Sequence, residues 1–215
     1  MLRFFVSALL CCQCLAAPLA LTVDAEPIDQ IPIHEYGCGP ISLLNSYRFS
    51  SKEWQTKTSR YYDTPEDAFK HLTRKFGRRI SPYVYGNMRW NDKSGMQSRD
   101  LHDLINAFHK KVKLPRVSFT SLFLKKDETH EQLMHRVEKE ISSSIENGFP
   151  PLLSIGRFAK ITSPRGGYRW GQVSSHFVSV TSITNENNSL EVSYIDPWGG
   201  RKLTGLITTP TSTFY

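Results

Sequence analysis

Residues 173–196 read VSSHFVSVTSITNENNSLEVSYID, and this stretch decides the fold. Two runs in which apolar and small polar side chains alternate flank a polar segment, which is the pattern of two antiparallel strands joined by a turn. If the turn centres on Glu186, the numbers of facing residues sum to about 372. The predicted pairs are Ser182 with Leu190, Val180 with Val192, Val178 with Tyr194, and His176 with Asp196. All of these side chains share one face, because side chains alternate between faces along a strand.

The open end of this predicted hairpin carries an imidazole facing a carboxylate. A carboxylate opposite a histidine fixes the tautomer and orientation of the ring and stabilises the imidazolium. His176 and Asp196 are therefore typical of a general base with its orienting acid, and they lack only a nucleophile. A register slip by two residues would keep this face, whereas a slip by one would turn the apolar side chains outward.

A candidate nucleophile lies near the start of the chain, in the segment Gly37-Cys38-Gly39-Pro40. The proline and the spacing of the apolar residues after it predict a helix that begins here. At a helix N-terminus the unpaired N–H groups and the helix dipole favour a thiolate, so we expect a lowered pKa for Cys38. The flanking glycines leave space for a carbonyl group beside the sulfur, and the backbone N–H of Cys38 could donate to its oxyanion.

The remainder of the chain predicts an α+β protein with a helical N-terminal half and a C-terminal antiparallel sheet. Apolar residues at helical spacing predict helices over residues 64–76, from Ser98 onward, and over residues 127–147. Residues 81–97 show no clear period and are interpreted as a long ordered loop that could line a cleft. Alternating and β-branched residues predict four strands, over residues 152–161, 173–183, 190–195 and 203–208.

Residues 1–20 have the composition of a secretory signal peptide. Arg3 precedes a short apolar run, and the small-residue stretch Leu15-Ala16-Ala17 follows it. The run is shorter than the roughly 20 apolar residues that span a bilayer, and no other stretch is apolar enough to do so. We expect this segment to be removed and residues 21–215 to form one domain, secreted or periplasmic. Only Cys38 of the four cysteines lies outside the segment, so it has no internal disulfide partner.

The formal net charge is +7, with short basic clusters at residues 75–79, 110–113 and 125–126. No interleaving of aromatic with basic residues and no recognised binding module accompanies these clusters. We therefore interpret them as solvated helix ends and expect no nucleic-acid partner. Attraction to an anionic surface or to an acidic substrate stays open.

No metal site and no other cofactor is expected. His130 and His135 resemble a helical zinc motif, but their spacing of five residues turns them by about 140° from each other on a helix. They are therefore expected to face solvent. The remaining histidines have no clustered carboxylate or thiol partners in the sequence.

Three segments resemble the bacteriocin-processing cysteine peptidases that cut double-glycine leaders, and their stand-alone relatives. Residues 37–44, GCGPISLL, are similar to the nucleophile motif of that family. Residues 175–180, SHFVSV, are similar to its histidine strand, and residues 194–200, YIDPWGG, to its acid segment. The resemblance implies a papain-like fold, in which the nucleophile helix packs on the sheet, and a catalytic triad composed of Cys38, His176 and Asp196.

The chain departs from this family in two respects. The family usually has an oxyanion-hole glutamine six residues before the cysteine, where this chain has Pro32. Gln30 is the nearest glutamine and is the predicted oxyanion donor, with His34 as a substitute. The best-known members work beside export transporters, whereas this chain carries an expected signal peptide, so leader cleavage does not carry over.

These residues favour an exported cysteine peptidase that hydrolyses peptide bonds of a peptide or protein substrate through a thioester acyl-enzyme. One alternative is acyl transfer of the transglutaminase type, in which an amine replaces water. The other is a non-catalytic domain that binds peptides or cell-wall material in a cleft near residues 81–97.

Overall fold

The structure is a computed structural model that describes residues 19–21, 23–162, 166–186 and 189–208. Side chains are described for these residues except 19, 157–161, 169–174 and 186. The expected signal peptide lies outside the described residues apart from Leu19 and Ala20, which form the short strand β1 (Leu19–Ala20). The sheet therefore includes two residues that the sequence assigns to the signal segment.

Helices make up most of the described chain before residue 147. They are α1 (Cys38–Arg48), α2 (Lys52–Ser59), α3 (Pro65–Leu72), a π-helix (Thr73–Gly77), α4 (Ser98–Val112) and α5 (His130–Glu146). No helix in the described part of the chain is long and apolar enough to cross a membrane. The sequence did not predict α2, because its mostly polar residues give no apolar period and only Trp54 and Thr58 are buried.

Four antiparallel strands follow in chain order and form a meander. They are β2 (Leu152–Thr162), β3 (Tyr168–Glu186), β4 (Ser189–Asp196) and β5 (Arg201–Ile207), with β1 beside β3. Helices before an antiparallel sheet confirm the predicted α+β class. Strand β3 is longer than predicted at both ends.

Helix α1 forms the centre of the larger core. Every residue from Gly39 to Tyr47 is buried, and the helix packs against α3, α4 and the side chain of Phe177. Two hydroxyl groups also tie the helix to β3. Ser42 Oγ donates to the Phe177 carbonyl at 2.8 Å, and Ser179 Oγ donates to the Ser42 carbonyl at 2.6 Å. Rotation of α1 would leave these buried groups unpaired, which costs more than the bonds themselves contribute.

A second, smaller core lies between α5 and the sheet. It contains Val137, Ile141 and Ile145 of α5 with Val180, Ile183, Leu190 and Val192 of the strands. Phe177 and Ser179 contact α1, whereas Val180 contacts α5. Since successive side chains of a strand point to opposite faces, β3 lies between the two helices.

The register of the β3–β4 hairpin differs from the prediction. A β-bulge at Thr181 separates the pair Val180–Tyr194 from the pair Ser182–Ser193. Glu186 pairs with Ser189, so the numbers of facing residues sum to 375 near the turn and to 374 past the bulge, not to 372. The predicted pairs Ser182–Leu190, Val180–Val192 and Val178–Tyr194 are therefore wrong, and His176 does not directly face Asp196. The physical reason is that the extra residue at Thr181 reverses which side chains of β3 point to the apolar face. Ile183 is buried on that face, while Ser182 is half-buried.

On the side of the bulge away from the turn, the observed register differs from the predicted one by two residues. A shift of two keeps each side chain on its predicted face. The last observed pair is Ser179 with Ile195. Continuing this register places Asp196 opposite Val178 and diagonal to His176. Diagonal neighbours on one face remain within reach of long side chains.

The segment between the π-helix and α4 is an ordered loop, as predicted. Two isolated bridges, Ile80 with Met88 and Asn91 with Gly95, shape it. The predicted helix over residues 64–76 is α3 followed by the π-helix, which ends at Gly77. A Cβ at Gly77 would lie 2.7 Å from Trp90 Cβ, so the return of the loop requires glycine here.

Helix α5 begins three residues later than predicted. Thr129 caps it, and the Gln132 side chain bonds back to the Thr129 backbone in a capping box. Asp127, where the sequence predicts the start, has a left-handed φ of 65° and lies in the preceding turn. The cap chemistry at Thr129 therefore decides the boundary.

His109 is a fully buried histidine that supports the larger core. Its Nδ1 donates to the Pro115 carbonyl at 2.7 Å, so Nε2 accepts from the Tyr47 hydroxyl at 2.8 Å. Burial lowers the pKa of His109 from 6.5 to about 4, against the opposing effect of the Pro115 carbonyl. The folded protein therefore holds a neutral ring at pH values where the unfolded chain binds a proton.

We predict that His109 makes stability depend on acidity. Its contribution is fully present above about pH 6.5 and is lost as the pH falls toward about 4, since the unfolded state binds more protons in that window. Urea unfolding should show His109 accounting for about 2 kcal/mol of lost stability between about pH 7 and pH 5. The His109→Gln variant should lack this component, and equal pH slopes in the two proteins would contradict the prediction.

Candidate functional site

The sequence-predicted pair of His176 and Asp196 lies on two neighbouring strands, with His176 in the middle of β3 and Asp196 at the end of β4. His176 Nε2 donates to Asp196 Oδ1 at 2.8 Å. A carboxylate oxygen can only accept, so Nε2 carries the proton and Nδ1 is the nitrogen that can take up another. The backbone N–H of Trp198 donates to the same oxygen at 2.8 Å, which fixes the carboxylate from its own turn.

Arg201 extends this pair into a row across three strands. It is the cross-strand partner of Asp196 at the start of β5. Its Nη2 donates to Asp196 Oδ2 at 3.1 Å, and its Nε donates to the Trp198 carbonyl at 3.1 Å. One guanidinium thus holds both the carboxylate and the turn that follows it, a geometry that its planar fork permits.

The turn between β4 and β5 is also held by the segment that leads to the nucleophile. Asp29 Oδ1 accepts from the backbone N–H groups of Ile31 and Gly199, both at 2.9 Å. Gln30 N donates to the Pro197 carbonyl at 2.8 Å. Gly200 has a left-handed φ of 57°, and a Cβ there would lie 3.3 Å from Asp29 N. The close approach of the two segments requires glycine at this position.

Cys38 is the first residue of α1 and is half-buried. Gly37 precedes it without a side-chain cap, so the first N–H groups of the helix stay directed at the cysteine. Backbone N–H groups of Phe177, Gly39 and Cys38 itself act on the sulfur. The sulfur therefore lies at the backbone of the residue that follows His176.

The electrostatic balance at Cys38 differs from the sequence expectation. Burial raises the pKa of the Cys38 thiol above its ordinary value and outweighs the three backbone N–H groups that lower it. The carboxylate of Asp196 raises the pKa further. The expected lowering of the pKa is thus absent here, because the sequence showed the helix N-terminus but not the burial of the sulfur.

Cys38 and His176 share no hydrogen bond among the contacts of the described residues. Catalytic hydrogen bonds are often long in a free enzyme and shorten when substrate binds. Proton transfer from Cys38 Sγ to His176 Nδ1 therefore requires the two side chains to approach.

Gln30, the predicted oxyanion donor, is 1% exposed and belongs to the same region. Its Nε2 donates to the Glu35 carbonyl at 2.8 Å, and its Oε1 is buried without a partner in the described structure. We call residues 29–37 the lead-in segment. The Gln30 carbonyl accepts from the N–H groups of Ile33 and His34, so the chain coils here. These turns accommodate the spacing of eight residues between Gln30 and Cys38. The role of Gln30 as oxyanion donor stays a prediction.

His34, the predicted substitute donor, belongs to the lead-in segment and packs against the 77–97 loop. Its ring stacks on Phe69 at 5.4 Å and meets Trp90 edge-on at 5.1 Å between centroids. Its Nδ1 accepts from the backbone N–H of Tyr36 at 3.2 Å. These contacts give His34 a structural task in joining the loop to the nucleophile segment.

Three large side chains are exposed in the segments that border the site. Ile31 is 54% exposed, Tyr36 41% and Trp198 46%. Ile31 and Trp198 belong to the two segments that Asp29 joins, and Tyr36 lies two residues before the nucleophile. Exposed apolar side chains therefore lie on the segments next to Cys38 and Asp196.

Sequence reasoning missed Arg201 and Asp29. Extending the β4–β5 hairpin back to the Pro-Trp-Gly-Gly turn would have paired Asp196 with Arg201, but the predicted strand began only at Leu203. No sequence signal marks Asp29, since its partners are backbone N–H groups distant in the chain. The two histidines of the zinc-like motif, His130 and His135, are both exposed on α5 as predicted.

We predict slow alkylation of Cys38 by iodoacetamide near neutral pH. Because burial raises the pKa of this thiol, the rate should still be rising above about pH 8.5, the ordinary pKa of a thiol. Intact mass measured over time reports the modification, and Cys38→Ser subtracts any contribution from the other cysteines. A rate that reaches its plateau below about pH 7 would contradict this electrostatic balance.

Comparison with known proteins identifies no relative of this chain. No protein-family model matches the chain, and neither a curated protein nor a solved structure matches it. The resemblance of the three motifs to bacteriocin-processing peptidases therefore stays a prediction from sequence. Structural support for a function comes from the contacts among the described residues.

Proposed function

We propose that this chain is an exported cysteine peptidase with a papain-like fold, in which Cys38, His176 and Asp196 form the catalytic triad. The observation that carries the proposal is the 2.8 Å bond from His176 Nε2 to Asp196 Oδ1, on the strand whose next residue, Phe177, contacts the Cys38 sulfur through its backbone N–H. A histidine with only a structural role needs neither a carboxylate at Nε2 nor a thiol at the adjacent backbone. A nucleophile–base–acid triad uses both.

The proposed reaction is hydrolysis of a peptide bond in two steps. Cys38 Sγ attacks the carbonyl carbon while its proton passes to His176 Nδ1, and the C–N bond breaks as the imidazolium protonates the leaving amine. Water then attacks the thioester, with His176 accepting its proton. The carboxylic acid leaves, and the proton returns to the sulfur. Asp196 keeps the ring oriented and stabilises the imidazolium throughout.

The raised pKa of Cys38 supports general-base catalysis over a preformed ion pair. A neutral thiol in a half-buried site avoids a desolvated charge while no substrate is present. Once a carbonyl is in place, proton transfer and attack occur together. The helix N-terminus and the Phe177 N–H then stabilise the sulfur as its proton departs.

The exposed apolar rim of Ile31, Tyr36 and Trp198 supports a polypeptide substrate. An extended peptide buries such side chains on binding and presents its carbonyl groups to the sulfur.

Acyl transfer would use the same triad with an amine in place of water. Adding an amine acceptor to the assay separates the two reactions, since transfer yields a conjugate and hydrolysis yields a free acid.

We predict that Cys38→Ala and His176→Ala each reduce peptide hydrolysis by at least about a thousandfold, because each removes a group that acts in the transition state. The assay is mass spectrometry of a denatured protein mixture incubated with each variant. His135→Ala is the matched control, since His135 is an exposed histidine on α5 and should leave the rate unchanged.

The same variants discriminate the proposal from binding without turnover. Unchanged product formation by Cys38→Ala would refute the proposed peptidase. Peptide binding by a folded wild-type protein that yields neither product nor a thioester on Cys38 would favour the non-catalytic domain. Circular dichroism of each variant shows whether a loss of activity reflects chemistry or folding.

Arg201 is expected to act as a positioning residue. We predict that Arg201→Gln lowers kcat about tenfold with KM little changed, because it removes a charge-assisted bond to Asp196 without touching substrate. Arg201→Lys should recover part of the loss, and Lys202→Gln, next along β5, should be neutral. A rise in KM with normal kcat would instead assign Arg201 to substrate binding.

A further inference from the structure

The loop after the π-helix projects a ribbon whose outer part is apolar. We call residues 78–89 the protrusion. The N–H groups of Ser81 and Arg89 donate across it to the carbonyls of Asn87 and Arg79, both at 2.8 Å, which closes its base. Its exposed side chains are Ile80 at 73%, Tyr83 at 43%, Tyr85 at 103% and Met88 at 52%. No other loop of the described chain exposes as many as four large apolar side chains.

Helix α4 holds the protrusion in this shape. Asp100, 2% exposed, accepts from Ser81 Oγ at 2.8 Å, and Ser81 Oγ accepts in turn from the N–H groups of Tyr83 and Val84. Arg89 Nη2 donates to Asp103 at 3.0 Å. Buried polar groups thus fix the base while the apolar side chains stay outside, so their exposure is a property of the fold.

Exposed cations lie on the π-helix, on the first residues of the protrusion and at the C-terminal end of α4. The structure brings together two basic clusters that are separate in the sequence. Phe76 of the π-helix meets Phe108 of α4 edge-on, at 5.7 Å between ring centroids. Lys75 therefore lies near Lys111 at the end of α4, and this cation lowers the pKa of Lys75. We call Arg74, Lys75, Arg78, Arg79, Lys110 and Lys111 the basic collar. All six are exposed, and no carboxylate of the described residues pairs with any of them.

We propose that the protrusion and its basic collar form a docking surface for an anionic lipid bilayer. In this orientation Ile80, Tyr85 and Met88 enter the headgroup boundary, where apolar and amphipathic side chains gain by leaving water. The collar then faces the anionic headgroups, which attract exposed lysine and arginine side chains. An anionic surface that faces neighbouring cations, such as Lys75 and Lys111, reduces the repulsion between them.

The chemistry favours lipid over nucleic acid as the partner. Ile80 and Met88 gain nothing from phosphate groups, and they form neither a groove nor a flat aromatic platform for bases. A bilayer supplies the anionic plane and the apolar layer together. This proposal does not depend on the peptidase activity, because none of its residues belongs to the candidate triad.

Vesicle co-sedimentation tests the proposal. The full chain should pellet with vesicles that contain phosphatidylglycerol in phosphatidylcholine, remain in solution with phosphatidylcholine alone, and dissociate as salt is raised. Lys75→Glu with Lys111→Glu should weaken binding at least about thirtyfold. Ile80→Ser with Tyr85→Ser should weaken it about tenfold.

Matched variants elsewhere on the surface serve as controls. Lys125→Glu with Lys126→Glu changes the net charge equally, and Phe123→Ser with Leu124→Ser removes another exposed apolar pair. Neither should alter binding, and all variants share one N-terminus, so any contribution from residues 1–20 cancels. Equal loss from the control pairs, equal binding to both vesicle types, or absence of binding would overturn the proposal.

Discussion

The docking of α1 on β3 is the constraint on which the rest of the structure depends. Ser42 and residues of β3 exchange two hydrogen bonds in a setting where neither partner has water as a substitute. Those bonds fix the position of α1 along the strand and its rotation about its axis. Cys38 is four residues before Ser42, so the same contact places the sulfur at the backbone next to His176. A core of apolar side chains alone would tolerate small shifts that a catalytic geometry does not.

Polar contacts, more than apolar packing, join the turn after Asp196 to the residues that precede Cys38. Asp29 binds backbone from both, and Gln30 bridges the two segments with its main chain while its side chain closes the coil before Cys38. The opposite edge of this region meets the 77–97 loop, where Gly95 packs on the Tyr36 carbonyl and Trp90 packs on His34. One continuous segment therefore runs from the apolar protrusion to the residues that precede Cys38.

Much of this arrangement could be predicted because its signals are local. The alternation in residues 173–196 identified the hairpin, and the polar end of that hairpin identified His176 with Asp196. The Thr181 bulge could not be predicted, since a single inserted residue leaves the alternation intact on each side. Burial of Cys38 and the role of Arg201 were also hidden, because both arise from strands and helices that are distant in the chain. Local cap chemistry predicted α3 well, whereas α2 has no apolar period and needed its tertiary contacts to be recognised.

The separation between Ser42 and Phe177, 135 residues along the chain, has a consequence for the order of assembly. Cys38 is synthesised early, whereas the strands that carry His176 and Asp196 come last. Contacts of such long range form late and slow the folding of a domain. A chain that emerges from its N-terminus, from the ribosome or across a membrane, would thus carry an isolated cysteine until its final third arrives. The fold itself delays assembly of the site until the whole polypeptide is present.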